Sequence, residues 1–102
     1  MQKITQQQLD TAYLAGSIRK IRVIRVSEKQ WYFTADVFDS VNNRTQTFAL
    51  LTQRGRLRIW SDPRNLFSFL RERYKITYGL FILDGDLNDA EIQSLGFDDG
   101  SP

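Results

Sequence analysis

Hydrophobic positions along the chain change period several times, and each change marks an element. Over residues 6–15 the apolar residues Leu9, Ala12, Tyr13 and Leu14 form a narrow helical stripe. Thr5 stands where an N-cap belongs, and Gln8, three residues on, completes a capping box. Ile4 and Leu9 are spaced as a hydrophobic staple, and Gly16 suits a left-handed residue past the helix end. The period then drops to two. Residues 18–26 (IRKIRVIRV) and 30–39 (QWYFTADVFD) read as strands, with Trp31, Phe33, Ala35 and Val37 on one side of the second. Residues 45–52 and 57–60 read as a third and a fourth strand. Ser27-Glu28-Lys29, Val41-Asn42-Asn43-Arg44 and Gln53-Arg54-Gly55-Arg56 are the turns, which predicts a four-stranded antiparallel meander.

The helical period returns after Trp60. Asp62 is a good N-cap and Pro63 a good first helical residue; Leu66, Phe67, Phe69, Leu70 and Tyr74 supply an apolar face. Residues 77–84 (TYGLFILD) read as a fifth strand, apolar on both faces and therefore expected to be covered. Asn88 and Glu91 form a second capping box, with Leu87 and Ile92 as its staple, so a short helix is expected over 88–95 and ends near Gly96 and Phe97. The order is α-β-β-β-β-α-β-α. This predicts one α+β domain over residues 1–97, with helices packed mainly on one face of the sheet, and a frayed acidic tail at 98–102. The expected core is Trp31, Phe33, Phe48, Leu50, Leu66, Phe69, Leu70, Phe81 and Leu83.

Composition narrows the chemistry. The chain has 102 residues, room for one core, with 41% hydrophobic and 25% charged residues as in ordinary globular domains. It has no Cys and no His, which excludes a disulfide scaffold, a zinc finger and any Cys or His nucleophile or base. No apolar run nears the roughly 20 residues of a membrane span, and MQKITQQQLD lacks a secretory core, so a cytoplasmic protein is expected. Charge is divided along the chain. Residues 1–75 hold 14 Lys/Arg against 6 Asp/Glu, a balance of +8, and residues 76–102 hold 6 acids and no base, a balance of −6.

The basic residues supply the candidate site. Arg54, Arg56 and Arg58 stand at period two and Trp60 continues their parity, so an extended strand lines them on one face about 6.6–6.8 Å apart. Leu57 and Ile59 then point the other way, into the core. Guanidinium groups beside an aromatic suit carboxylates and phosphates through bidentate hydrogen bonds. Arg64 and Arg71 on the second helix, and Arg19, Arg22 and Arg25 on the first strand, extend that surface.

Other chemistries fit poorly. The acidic run from Asp84 to Glu91 lacks the Gly and Glu that a calcium loop needs at its sixth and twelfth positions, where Asp89 and Leu95 stand, and capping explains Asn88 and Glu91. Tyr78-Gly79 matches only a fragment of an RNA-recognition strand, and the element order differs from that module. Asp36 and Asp39 fall on opposite strand faces, and there is no Gly-rich phosphate loop or nucleophile elbow. No catalytic residue, metal or cofactor is expected.

Residues 51–84, LTQRGRLRIWSDPRNLFSFLRERYKITYGLFILD, resemble the small ParC-family partition-associated proteins encoded beside plasmid partition genes, which are unrelated to the topoisomerase subunit of that name. The resemblance rests on Thr52, Arg54, Gly55, Arg58, Trp60, Ser61, Leu66, Phe69, Leu70, Arg71, Glu72 and Asp84, with Leu9, Ala12 and Gly16 in the opening helix. Members often end in a basic tail, whereas this chain ends acidic. The resemblance implies plasmid maintenance rather than an enzymatic activity.

Together these readings predict a non-enzymatic accessory protein of a plasmid or other mobile element. It would bind a macromolecular partner through Arg54, Arg56, Arg58, Trp60, Arg64 and Arg71. A protein with an acidic surface is favoured as partner, because a net charge of +2 is weak for neutralising many phosphates. The alternatives are a DNA-binding regulator and an inhibitor of a host defence complex. An open edge on the first or third strand would allow pairing with a second copy.

Overall fold

Thr5 begins the first helix as its position requires. Its hydroxyl accepts the Gln8 N–H at 3.1 Å, and the Gln8 side chain accepts the Thr5 N–H at 3.0 Å. Helix α1 (Gln6–Leu14) ends at Gly16, whose φ of 69° lies in the left-handed region. The computed structural model describes residues 2–85, so the expected helix over 88–95 and the tail at 98–102 lie outside the described residues. The other elements are β1 (Gln2–Ile4), β2 (Ile18–Ser27), β3 (Gln30–Asp39), β4 (Arg44–Leu50), α2 (Pro63–Tyr74) and β5 (Leu80–Ile82).

The strands form one five-stranded mixed sheet in the order β1-β4-β3-β2-β5. The α+β class and the succession of helices and strands agree with the sequence pattern. β2, β3 and β4 are the antiparallel meander, with Asn43 at φ 50° in the second turn. Both outer strands join in parallel: Gln2–Ile4 beside Phe48–Leu50, and Leu80–Ile82 beside Arg22–Ile24. Gly79 opens this last pairing, because a Cβ there would stand 2.9 Å from the Ile21 carbonyl oxygen.

Three expectations need correction. Residues 57–60 are not a full strand; they touch the sheet through single bridges, Leu51 to Leu57 and Trp31 to Trp60. The strand edges belong to β1 and β5, because β2 and β4, the expected first and third strands, each have neighbours on both sides. β5 is shorter than 77–84 and is not covered by the described residues: Phe81 is 62% exposed and Leu83 57%. These two expected core residues therefore lie outside the core that the described residues form.

The core lies on both faces of the sheet. On one face Ile21, Val23, Phe33, Ala35 and Leu50 meet Leu9 of α1 and Leu66, Leu70 and Tyr74 of α2. The α2 residues follow i, i+4, i+8 spacing, and burying each leucine contributes on the order of 2 kcal/mol. Trp31, Phe48 and Phe69, also expected in the core, pack against this cluster half-buried. On the opposite face Leu57 and Ile59 fold over Ile24, Tyr32 and Ala49 and make a second, smaller core.

Candidate functional site

The expected arginine row divides into two unlike halves. Arg54 and Arg56 flank Gly55, whose φ of 78° makes the turn, and both are exposed. Arg58 and Trp60 do share a side, opposite Leu57 and Ile59, as their parity predicts. That side faces the helices. Trp60 bridges Trp31 in the middle of the main core and is fully buried, so it is not a partner-binding residue. The Arg58 guanidinium lies 4.7 Å from the Trp60 ring centroid and 4.8 Å from that of Phe69, and donates to Gln6 Oε1 at 3.3 Å. Arg58 thus serves to bind α1 and α2 to the sheet.

Two of the three arginines of β2, Arg19 and Arg22, are also engaged. Arg22 makes a two-pronged pair with Asp36 at 2.7 and 3.2 Å, and the Thr47 hydroxyl donates to the same carboxylate at 2.6 Å. The hydrogen bonds from Arg22 hold the Asp36 carboxyl below its ordinary range. Register places this cluster on the sheet face opposite the helices. Arg19 lies 5.3 Å from the Phe38 ring centroid and donates to the Gly16 carbonyl. Neither residue extends a shared row with Arg54 and Arg56.

Helix α2 brings other residues together. Arg64, Phe67 and Arg71 follow i, i+3, i+7 spacing and are all exposed, forming one stripe on its surface. Phe67 meets Phe81 of β5 edge to face, with ring centroids 5.6 Å apart and planes at 83°. The stripe therefore continues onto the sheet edge, where Phe81 is 62% exposed. Arg64 also forks onto its own N-cap, with Nη2 2.8 Å from Asp62 Oδ2. These hydrogen bonds lower the Asp62 pKa and raise that of Arg64.

The other flank of α2 is polar. Asn65, Ser68, Phe69, Glu72 and Arg73 line an open groove of about 350 Å³. Arg73 grips Asp10 of α1 at 3.0 and 2.7 Å, and the Tyr74 hydroxyl donates to the same carboxylate at 2.7 Å. This cluster ties the helices together. Among the described residues no group of three acidic, Cys or His side chains is placed to hold a metal ion. No described helix is long and apolar enough to cross a membrane.

Of the six candidate residues, then, Arg54 and Arg56 share an exposed turn, Arg64 and Arg71 share an exposed helix face, and Arg58 and Trp60 lie within the framework. Sequence reading missed the roles of Phe67 and Phe81. A signal for Phe67 was present: helical spacing sets it with Arg64 and Arg71, away from Leu66, Leu70 and Tyr74. Compared with known proteins, the chain matches no family model, no curated protein and no solved structure.

Proposed function

We propose that this chain is a non-enzymatic accessory protein of a plasmid or related mobile element, acting by binding a protein with an acidic, partly apolar surface. The observation that carries this reading is the Arg64–Phe67–Arg71 stripe joined to Phe81 on a sheet edge. Aromatic and arginine side chains are the types that dominate binding at protein interfaces. A continuous apolar patch with a basic border fits a partner that is apolar at its centre and acidic at its rim. Arg54 and Arg56, exposed at their turn, are a second basic contact. The mobile-element setting rests on the ParC-family resemblance. Much of that shared pattern serves the framework, since Gly55 makes a turn, Arg58 is stacked, and Trp60, Leu66 and Leu70 are buried.

The test is affinity capture from the native host with the tagged full chain, using nuclease-treated and untreated lysates in parallel. The expected result is a specific protein retained after nuclease treatment and lost when Phe67 and Arg71 are replaced. Capture of nuclease-sensitive material alone would overturn the protein-partner reading in favour of DNA. A steep salt dependence of binding would then be the confirming property.

A further inference from the structure

The sheet face opposite the helices is covered at its middle by Leu57 and Ile59, but β5 presents Leu80 and Ile82 on that same face, 47% and 36% exposed. Register sets Leu80 beside Arg22 and Ile82 beside Ile24, while Lys20, opposite Asp36, continues the face. The result is an apolar strip flanked by the Arg22–Asp36 pair and by Lys20. The chain is held against this strip at the end of the described residues. The Gly85 N–H donates to the Arg25 carbonyl at 2.8 Å, and a Cβ on Gly85 would lie 2.1 Å from Ile24 Cγ2.

We propose that this strip is the seat of the chain's own residues 86–102. Two observations select that occupant. The first is where the chain goes: seventeen further residues start beside Ile24, and they carry Leu87, Ile92, Leu95 and Phe97. The second is charge: the segment has Asp86, Asp89, Glu91, Asp98 and Asp99 and no base, whereas residues 2–85 hold all 14 Lys/Arg. An apolar, acidic segment tethered next to an apolar strip with a net positive charge from Lys20 has a high effective concentration there, which favours binding within the chain over binding between chains. The seat lies across β5 from the Phe67–Phe81 surface, so an occupied seat leaves the proposed partner site open.

The chain has no cysteine, so one introduced thiol gives a unique label position. Full-length Lys20→Cys, on the seat face, and Ser68→Cys, on the outside of α2, are each labelled with a nitroxide. Amide signals of residues 86–102 are then compared with the label oxidised and reduced. The expected result is a several-fold intensity loss for residues 87–97 from the Lys20→Cys label and little loss from Ser68→Cys. In a Lys20→Cys chain, Leu80→Asp or the pair Ile92→Asp and Leu95→Asp should restore the signals while the amide spectrum of the body is kept.

Full signals with both labels, or equal loss from both, would overturn the proposal. So would loss appearing when nitroxide-bearing chains are mixed with separate isotope-labelled chains, because the seat would then belong to a second copy. No partner enters these measurements, so their failure is separate from failure of the partner reading.

Discussion

Arg58 lies against Trp60 and Phe69 together, with its guanidinium carbon 4.7 Å from the indole centroid and 4.8 Å from that of Phe69, and the two rings are themselves in contact at 5.3 Å. A cation set over two adjacent rings adds electrostatic attraction to the packing of its aliphatic stem. Arg58→Ala should lower unfolding free energy by about 1–2 kcal/mol, read from urea melts. Arg58→Lys should recover only part of this, because an ammonium cannot stack as a planar guanidinium does. Full recovery by lysine would mean that only the charge mattered. Replacing Arg54 and Arg56 should leave the melt nearly unchanged, so any partner lost by that pair is lost at the surface.

Two buried-side carboxylates predict the acid limb of stability. Hydrogen bonds from Arg73 chiefly, then from the Tyr74 hydroxyl, hold Asp10 below its ordinary pKa, and Arg22 does the same for Asp36. A depressed folded-state pKa contributes stability above the unfolded value and loses it as pH falls through the folded value. Unfolding free energy should therefore be flat from about pH 5 to 8 and fall below about pH 4. Flatness near neutrality follows from the absence of histidine. Asp10→Asn should shrink the fall below pH 4, and a titration curve identical to that of the parent would show that the α1–α2 contact contributes nothing to it.

Thr34 is 7% exposed, and its hydroxyl has no hydrogen-bond partner among the described residues. The group gives up its hydration on folding without an exchange. Thr34→Val removes the hydroxyl at nearly equal volume in a strand that favours β-branched residues. The expected gain is about 1 kcal/mol in a thermal or urea melt. A loss instead would mean that the hydroxyl is satisfied in solution.

Helix α2 stops at Lys75, which adopts φ 57° without being glycine. The left-handed conformation costs a side-chain-bearing residue roughly 1–2 kcal/mol, partly offset by the greater chain entropy that glycine loses on folding. Lys75→Gly should raise stability by up to about 1 kcal/mol, and Lys75→Val should lower it. Equal melts for both variants would contradict the strain.

For the partner surface, Phe67→Ser with Arg71→Glu should weaken capture of the partner by at least about tenfold, or about 1.4 kcal/mol. Both residues are exposed, so the melt should barely move. Retained binding in the folded double variant would place the interface elsewhere.

Local chemistry was legible in the sequence where a single element decided it. Thr5 and Gln8 cap α1, Gly16 ends it, and Asp62 with Pro63 starts α2, because each contact spans at most four residues. What could not be read there was which side of a segment meets which layer. The alternation of Arg58 and Trp60 against Leu57 and Ile59 was readable. That the helices cover the first pair, and that the second pair covers the opposite face, depends on contacts with Trp31, Phe69 and Tyr32 far along the chain. β1 was missed for a related reason: three residues show no period, and their partner strand begins more than forty residues later. Phe81 and Leu83 look like core by hydropathy, yet they sit on or just past a sheet edge with too few described neighbours to cover them.

The two parallel pairings also bear on how the chain finds its structure. β2, β3 and β4 are joined by hairpins, whose ends meet after short loops. β1 must meet β4, and β5 must meet β2, across about half of the chain's length. Loop closure of that length is slow to gain contacts in return. The hairpin sheet is therefore expected to form early and the outer strands to arrive last, together with the helix contacts that secure them. In the folded protein the same order runs in reverse. Amide exchange should be fastest at Leu80–Ile82 and Gln2–Ile4 and slowest along the centre of β3, so that the edge beside Phe67 opens and closes as a unit while the meander stays shut.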